Sequence, residues 1–200
     1  MTRLIKSISF LVLRYLIHCN FVTAKVFSLK ANFKCSLKDV MGRHLYKYGM
    51  HEPENSKFLL QTIKLGDGDV AIDIGANLGW YSVLLNRISE SGSLVFAFEP
   101  DPNNRKLLEQ TVEENGWHTR LKVSSRALWK VSHTALKFYP SQSAENTGTS
   151  SLVHHGVHQD ESKFIEVRTV TLDDFLEEES ISRIRLLKID VERAEYQLLQ

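Results

Sequence analysis

Two acidic side chains stand at the ends of short apolar runs. Asp73 lies within the run 70–74, and Glu99 directly follows the run 94–98. Glu99 also comes about 20 residues after Gly79, the distance at which an acidic residue accepts hydrogen bonds from ribose hydroxyls in nucleotide-binding folds. A surface carboxylate before a helix is the simpler alternative, but the buried run ahead of Glu99 favours ribose binding. The chemistry that these residues predict is recognition of a nucleoside.

The loop between these acidic residues reads Gly75-Ala76-Asn77-Leu78-Gly79. Glycines let a backbone turn tightly and approach a ligand. The dinucleotide fingerprint G-x-G-x-x-G has its second glycine where this chain has Asn77, which disfavours close approach to a pyrophosphate and therefore a nicotinamide-dependent dehydrogenase. An adenosine without phosphates fits better. Asn77 can offer an amide to a carboxylate and Asp73 can face an amino group, and a methionine tail carries both groups.

The elements that must position these residues are alternating strands and helices. Apolar runs typical of buried parallel strands occupy residues 70–74, 94–98, 121–128 and 185–191. Helical patterns separate these runs, which predicts βαβ units, right-handed crossovers and a Rossmann-like α/β sheet. We expect the first strand to lie between the second and the fourth. Because ligands bind beyond the carboxyl ends of the strands in such a sheet, the acidic residues should surround one cleft.

Two segments of alternating polarity precede the fourth predicted strand. Residues 135–139 and 164–170 are expected to pair as a β-hairpin insertion. The polar stretch 141–163 between them predicts a loop, and residues 172–179 predict a short acidic helix.

Composition disfavours several other kinds of site. The chain has 25 Lys and Arg residues against 24 Asp and Glu residues, so it offers no concentrated basic face and no nucleic-acid partner is expected. His154, His155 and His158 have the spacing of metal ligands, but nothing else completes a coordination shell, and a solvated loop is favoured. Cys19 and Cys35 form neither a disulfide framework nor a metal site, which favours reduced thiols in a cytoplasmic protein.

Residues 1–50 are expected to form an N-terminal helical extension, and residues 51–200 the ligand-binding domain. The apolar stretch 8–22 is interrupted and shorter than the ~20 clean apolar residues of a membrane span. Arg14 within it argues against a signal peptide. An amphipathic helix packed on the domain is favoured, and contact of residues 3–22 with a membrane surface is the alternative. The expected location is the cytoplasm, with or without membrane association.

Five motifs resemble, in their order along the chain, those of the FkbM-like methyltransferases. They are Asp73 to Ser82, Phe96 to Pro102, Thr149 to Leu152, Thr171 to Asp174 and Leu187 to Glu192. Each motif is short, but the ordered set, which covers residues 52–200, is specific. The resemblance implies the class I methyltransferase fold, S-adenosylmethionine as the cofactor, and commonly transfer of methyl to a hydroxyl oxygen. The acceptor is then a small molecule, a sugar or a lipid-linked compound.

The resemblance also implies which residues form the site. The cofactor-binding residues are expected to be Asp73, Gly75, Ala76, Asn77, Gly79, Glu99, Pro100, Ala127 and Leu128. Of these, Ala127 and Leu128 form the adenine side. Asp190 and Glu192 are expected at the acceptor side as catalytic residues, because a nearby carboxylate can take the proton of a hydroxyl during methyl transfer. Capping of the next helix is the alternative role for them.

One position departs from the family pattern Asp-Val-Glu-Gly-Ala-Glu, because Arg193 stands in place of the glycine. A glycine permits a left-handed backbone or close approach of a ligand. We expect Arg193 to block the acceptor side while sparing the adenosine side, unless it points to solvent and pairs with Glu192 or Glu195. A C-terminal part that completes the acceptor side is also expected to be missing. The alternative function is therefore a relative that binds cofactor or a protein partner without transferring methyl.

Overall fold

The computed structural model describes residues 3–143, 145–154 and 159–199, so His155 and His158 of the predicted polar loop lie outside the described residues. The helices are α1 (Arg3–Leu11), α2 (Val40–Tyr48), α3 (Pro53–Thr62), α4 (Trp80–Arg87), α5 (Pro102–Glu114), α6 (Leu172–Glu178) and α7 (Glu195–Leu198). The strands are β1 (Phe21–Val26), β2 (Ala31–Ser36), β3 (Val70–Ile74), β4 (Leu94–Phe98), β5 (Leu121–Ser124), β6 (Ala127–Leu128), β7 (Ala135–Phe138), β8 (Ile165–Val170) and β9 (Leu186–Ile189). A π-helical turn, Val12–Leu16, continues α1.

The central sheet has four parallel strands in the order β5-β4-β3-β9. β3 therefore lies between β4 and β9, which confirms the predicted neighbours of the first strand. This is the order in which a Rossmann sheet arranges its first four strands. Every residue of β3 is buried, Asp73 included, as expected of a largely apolar strand covered on both faces. The predicted Rossmann-like α/β class is thus confirmed.

Helices cover the two faces of the central sheet. On one face, Leu85 of α4 and Leu108 of α5 pack in a buried cluster with the strands. On the other face, the ring of Phe175 in α6 lies edge-on, 5.1 Å from the ring of Phe96 and 4.8 Å from that of Phe98. Complete burial of one such side chain contributes about 1.5–3 kcal/mol, so these contacts hold the strand ends in place.

The start of α5 is fixed by its own sequence, directly beyond the end of β4. The Asp101 carboxylate accepts hydrogen bonds from the backbone N–H groups of Asn103, at 2.9 Å, and Asn104, at 3.4 Å. Pro102 stands at the first helical position, where a missing N–H costs nothing. This cap sets the backbone around Glu99, which lies between the strand and the helix.

A second sheet has three strands in the order β6-β8-β7. β7 and β8 are antiparallel, which confirms the predicted hairpin insertion. The prediction of one continuous third strand over residues 121–128 is wrong, because the chain turns between β5 and β6. The Ser124 hydroxyl accepts a hydrogen bond from the Arg126 N–H at 3.2 Å, a local bond that competes with the strand ladder. β6 then pairs in parallel with β8 instead of joining the central sheet.

The fourth predicted strand, β9, is shorter and less buried than expected. It covers Leu186–Ile189 rather than residues 185–191, and each of its residues is half-buried. Within the described part of the chain, β9 is the outer strand of the central sheet and pairs with β3 alone. An outer strand lacks the second neighbour that would cover it, which accounts for the difference.

The predicted helical extension is wrong for residues 21–36, which form the antiparallel hairpin β1-β2. Alternate residues of β2 are buried, and a period of two is the strand pattern. Phe33 packs against Trp80 of α4 with ring centroids 5.6 Å apart. The outer edge of β2 is held by α5, where the Asn32 N–H donates to Asn115 Oδ1 at 2.9 Å. The hairpin is therefore packed on the domain that follows it.

The N-terminal helix α1 lies on α2. Phe10 is buried, the Lys47 ammonium lies 3.9 Å from the centre of its ring, and the hydroxyls of Ser9 and Tyr46 share a hydrogen bond of 2.7 Å. Among the described residues, none of the helices has the length and apolar content needed to cross a bilayer.

Candidate active site

A cavity of about 240 Å³ opens at the carboxyl ends of β3, β4 and β9. Its lining includes Gly75 and Asn77 after β3, Glu99 after β4, and Asp190 with Glu192 after β9. These residues are far apart in the sequence and meet because parallel strands end at the same edge of the sheet. The cavity lies where an open α/β sheet binds ligands.

Glu99 is the most strongly perturbed carboxyl of the cavity. Its side chain is 5% exposed, and its two oxygens accept hydrogen bonds from the backbone N–H groups of Asn77, at 2.6 Å, and Asp101, at 2.8 Å. Burial raises the pKa of Glu99 to about 8, and the charge of Asp101 acts in the same direction. Each oxygen keeps a further lone pair, so a ligand with two hydroxyls can donate to both.

The loop after β3 lies directly against the chain after β9, and only a glycine at position 75 permits this contact. Gly75 has a φ of +74°, and a Cβ on it would lie 1.9 Å from the backbone oxygen of Asp190. Asn77 is also left-handed, with a φ of +51°. Its buried Oδ1 has no hydrogen-bond partner among the described residues. A buried polar atom of this kind is normally satisfied, and a donor group on a bound ligand would satisfy it.

Asp73 does not line the cavity, and its neighbours explain why. The residue is fully buried, and its Oδ2 accepts a hydrogen bond from Ser82 Oγ at 2.6 Å. Its Oδ1 lies 3.0 Å from Lys188 Nζ, because Lys188 is the register partner of Asp73 on β9. The amino group that faces Asp73 is therefore the chain's own lysine and not that of a ligand.

Lys188 contacts residues of β3, of the loop after β3 and of the segment after β9. Its ammonium donates to the backbone oxygen of Gly75 at 3.0 Å and lies 3.7 Å from Asp190 Oδ2. Burial by itself would lower the pKa of Lys188, but the charges of Asp73 and Asp190 more than offset this and hold the pKa above its ordinary value. Lys188 is therefore charged at neutral pH, and sequence reasoning missed it.

Two other expected cofactor residues, Ala76 and Gly79, also lie outside the lining of the cavity. Ala76 belongs to the core cluster beneath the loop. Gly79 has a φ of +83° just before α4, and a Cβ there would lie 2.2 Å from Leu108 Cδ1. The glycine thus permits close packing of α4 against α5 rather than contact with a ligand.

The remaining expected cofactor residues form an apolar wall. Pro100, Ala127 and Leu128 all line the cavity, together with Phe98 and Phe138. The break between β5 and β6 brings Ala127 and Leu128 to this wall. An apolar wall in the same cavity as Glu99 suits a heteroaromatic ring.

A polar loop crosses the cavity, and sequence reasoning did not place it there. Both the backbone N–H and the hydroxyl of Thr147 donate to Asp39 Oδ2 at 3.1 Å, and Asp39 also caps α2. Further along, Ser150 Oγ donates to Asp101 Oδ2 at 3.1 Å. Ser151 Oγ donates to the backbone oxygen of Glu192 at 2.6 Å. The loop is thereby tied to three sides of the cavity.

Residues before the predicted domain also contribute to the cavity. Asp39, Val40 and Met41 line it from the start of α2, and the only sequence signal for them is an aspartate in a helix-capping position. His51 and Glu52 line it as well. Glu52 directly precedes α3, so one residue both starts the helix and faces the cavity.

His51 and Glu52 form a small titratable cluster. Burial lowers the pKa of His51, although the Glu52 charge acts in the opposite direction, so the imidazole is neutral at pH 7. A hydrogen bond from the Tyr81 hydroxyl lowers the pKa of Glu52. Within the part of the chain that the structure describes, no group of side chains is arranged to hold a metal ion.

Arg193 is exposed and absent from the lining of the cavity, so its position does not support the expected block of the acceptor side. Its backbone is left-handed, with a φ of +68°. That is the conformation for which the family glycine is suited.

We expect Arg193→Gly to raise the free energy of unfolding by about 1 kcal/mol, because a residue with a Cβ is strained in the left-handed region. Denaturant unfolding of the purified chain measures this. Arg193→Ala is the control, since it removes the side chain but keeps the strain, and should bring no gain. Equal stability of the glycine and alanine variants would contradict the strain.

The parallel sheet and the cavity at its carboxyl edge together define a Rossmann-like α/β protein. Residues 73–200 match the sequence profile described as the methyltransferase FkbM domain. The chain belongs to the FkbM methyltransferase family.

The chain shares a low sequence identity with a curated relative. The chain is 27% identical over 163 residues to 31-O-demethyl-FK506 methyltransferase FkbM of Streptomyces tacrolimicus, a match covering 71% of this chain and 62% of the relative. The chain thus spans less than two thirds of that relative's length.

Two solved structures are similar to parts of the chain. The match to methyltransferase FkbM from Methylobacillus flagellatus covers 78% of this chain and 37% of that protein, with a TM-score of 0.42 and 16% sequence identity. The match to a SAM-dependent O-methyltransferase from Thermotoga maritima covers 43% of this chain and 34% of that protein, with a TM-score of 0.37 and 25% sequence identity.

Proposed function

We propose that the cavity binds S-adenosylmethionine and that the chain's site serves methyl transfer to a hydroxyl oxygen. The observation that best supports this proposal is the position of Glu99. Backbone N–H groups fix its two carboxylate oxygens, and each oxygen keeps a free lone pair at the cavity. A ribose diol donates two hydrogen bonds at that spacing. The acceptor is a small molecule, a sugar or a lipid-linked compound, in keeping with the FK506-related relative named above.

The cofactor residues divide by the part of the ligand they would meet. Glu99 would hold the ribose, and Ala127 with Leu128 would cover the adenine beside Pro100. Gly75, which lines the cavity, would lie beside the methionine end, and the unpartnered Oδ1 of Asn77 is available to its ammonium. Asp73, Ala76 and Gly79 would act beneath this surface, by shaping the loop.

Bound S-adenosylmethionine supplies a methyl group on a positively charged sulfur. The acceptor oxygen gains the methyl group, the sulfur keeps the electron pair of the broken bond, and the hydroxyl proton must go to a base. Asp190 and Glu192 are our catalytic candidates for that base, since both residues line the cavity. His51 is a third candidate, because its lowered pKa leaves the imidazole free to accept a proton at pH 7.

Calorimetric titration with S-adenosylhomocysteine tests the proposal, with NAD as the competing nucleotide. We expect saturable binding of S-adenosylhomocysteine and at least about tenfold weaker binding of NAD, because the loop lacks the glycine that admits a pyrophosphate. Equal affinity for the two, or no binding of S-adenosylhomocysteine, would refute the proposal.

The affinity for S-adenosylhomocysteine should also depend on pH in a defined direction. The ribose hydroxyls donate to the ionised form of Glu99, whose pKa is about 8 without ligand. Affinity should therefore rise with pH through about 8 and level off above it, with proton release on binding at pH 7. Titrations in buffers of different ionisation enthalpy measure the released proton. Glu99→Gln should remove this dependence, and an unchanged profile in that variant would contradict the assignment.

A further inference from the structure

The N-terminal helix presents its most apolar side chains to the outside. The exposed residues form a ridge along α1 and the turn that follows it, which we call the apolar ridge: Ile5, Ile8, Leu11, Val12, Tyr15, Leu16 and Ile17. Leu16 is 75% exposed and Ile17 63%. Docking on α2 uses the opposite side, through Ser9 and Phe10. A surface helix of a globular protein normally turns its polar side outward, so this orientation indicates an interaction site.

The segment that carries the ridge is strongly basic. Residues 1–38 contain seven of the 25 Lys and Arg residues and none of the 24 Asp and Glu residues. The rest of the chain has 18 basic residues against 24 acidic ones. The overall net charge of +1 therefore hides a pronounced asymmetry. Lys25 and Lys30, at the two ends of the turn between β1 and β2, are both exposed.

We propose that the apolar ridge and the basic segment that carries it form a docking surface for an anionic lipid bilayer. Apolar side chains enter the boundary between headgroups and acyl chains, while Lys and Arg side chains meet the lipid phosphates. Charge argues against a symmetric dimer through this segment as the alternative, because two such basic segments would repel each other. None of the ridge residues lines the cavity, so the surface is distinct from the methyl-transfer site.

The test is co-sedimentation of the purified chain with vesicles. One set contains phosphatidylcholine with about 30% phosphatidylglycerol, and the other contains phosphatidylcholine alone. We expect at least about tenfold tighter binding to the anionic vesicles, and weakening as salt rises from about 0.1 M to about 0.5 M.

Variants separate the apolar part from the charged part. Leu16→Glu with Ile17→Glu should weaken binding by more than about tenfold, because both side chains would leave the membrane. The matched control is Phe58→Glu with Leu60→Glu, two exposed apolar residues of α3 outside the ridge, and should leave binding unchanged.

The charge variant is Lys25→Glu with Lys30→Glu. Each basic residue near an anionic surface strengthens binding by about fivefold, so this variant should lose more than about 20-fold. Its control is Lys57→Glu with Lys106→Glu, which makes the same change of charge on exposed residues elsewhere.

Three results would overturn the proposal. They are equal binding to the two kinds of vesicle, retention of binding in both ridge and charge variants, and a dimer in vesicle-free solution that Leu16→Glu with Ile17→Glu dissociates. Light scattering after size-exclusion chromatography reports the last of these.

Discussion

Replacing Lys188 with methionine is expected to lower the free energy of unfolding by about 3–5 kcal/mol. Methionine keeps the length and apolar stem of the lysine but removes its charge. Asp73, which is fully buried, would then keep only the hydrogen bond from Ser82. Removing Lys188 leaves the Asp73 charge buried without a counter-ion. This costs more free energy than the intact ion pair contributes to stability.

Denaturant unfolding at pH 7 measures the effect, and two further variants show its origin. Lys64→Met changes an exposed lysine and should stay within about 0.5 kcal/mol of the unchanged chain. Adding Asp73→Asn to Lys188→Met removes the stranded charge and should restore part of the lost stability. If the double variant is as unstable as the sum of its single changes, the ion pair is not the cause.

The pH dependence of this stability has a defined sign. The pKa of Lys188 is raised in the folded chain, so its contribution is present at neutral pH and is lost only as pH rises through that raised value. The difference in free energy of unfolding between the unchanged chain and Lys188→Met should therefore shrink as pH rises above about 10.4, the ordinary pKa of lysine.

The central sheet could be predicted because its signals are local. A short, largely apolar run rich in β-branched residues, such as 70–74, favours a strand covered on both faces, and the glycine loop and Glu99 mark where two such strands end. Residues that follow parallel strands then meet by topology alone. This is why Gly75, Asn77, Glu99 and Asp190 were assigned to one cleft without coordinates.

The parts that escaped prediction depend on contacts between distant segments. Lys188 pairs with Asp73 through the register of β3 and β9, which the pattern of either strand does not reveal. The loop over the cavity takes its position from Thr147 and Asp39, more than a hundred residues apart. The β1-β2 hairpin follows an apolar stretch that fits a helix as well, and its strand character depends on packing against Trp80.

Glu99→Ala is expected to weaken binding of S-adenosylhomocysteine by about 3 kcal/mol, or roughly 100-fold. A hydrogen bond to a charged group contributes about 1.5–3 kcal/mol, and the ribose would lose two of them. The backbone N–H groups of Asn77 and Asp101 would also lose their acceptors. The adenine wall would remain, so weak binding should persist. Glu109→Ala, an exposed glutamate of α5 that pairs with Arg105, is the matched control.

The most direct test of ribose recognition by Glu99 is the dissociation constant of S-adenosylhomocysteine, measured by calorimetry at about pH 8.5 for the unchanged chain and these two variants. At this pH the Glu99 carboxyl is mostly ionised, so binding is not limited by its protonation. We predict a roughly 100-fold weaker constant for Glu99→Ala and an unchanged one for Glu109→Ala. Equal constants for Glu99→Ala and the unchanged chain would contradict the assignment of the cavity.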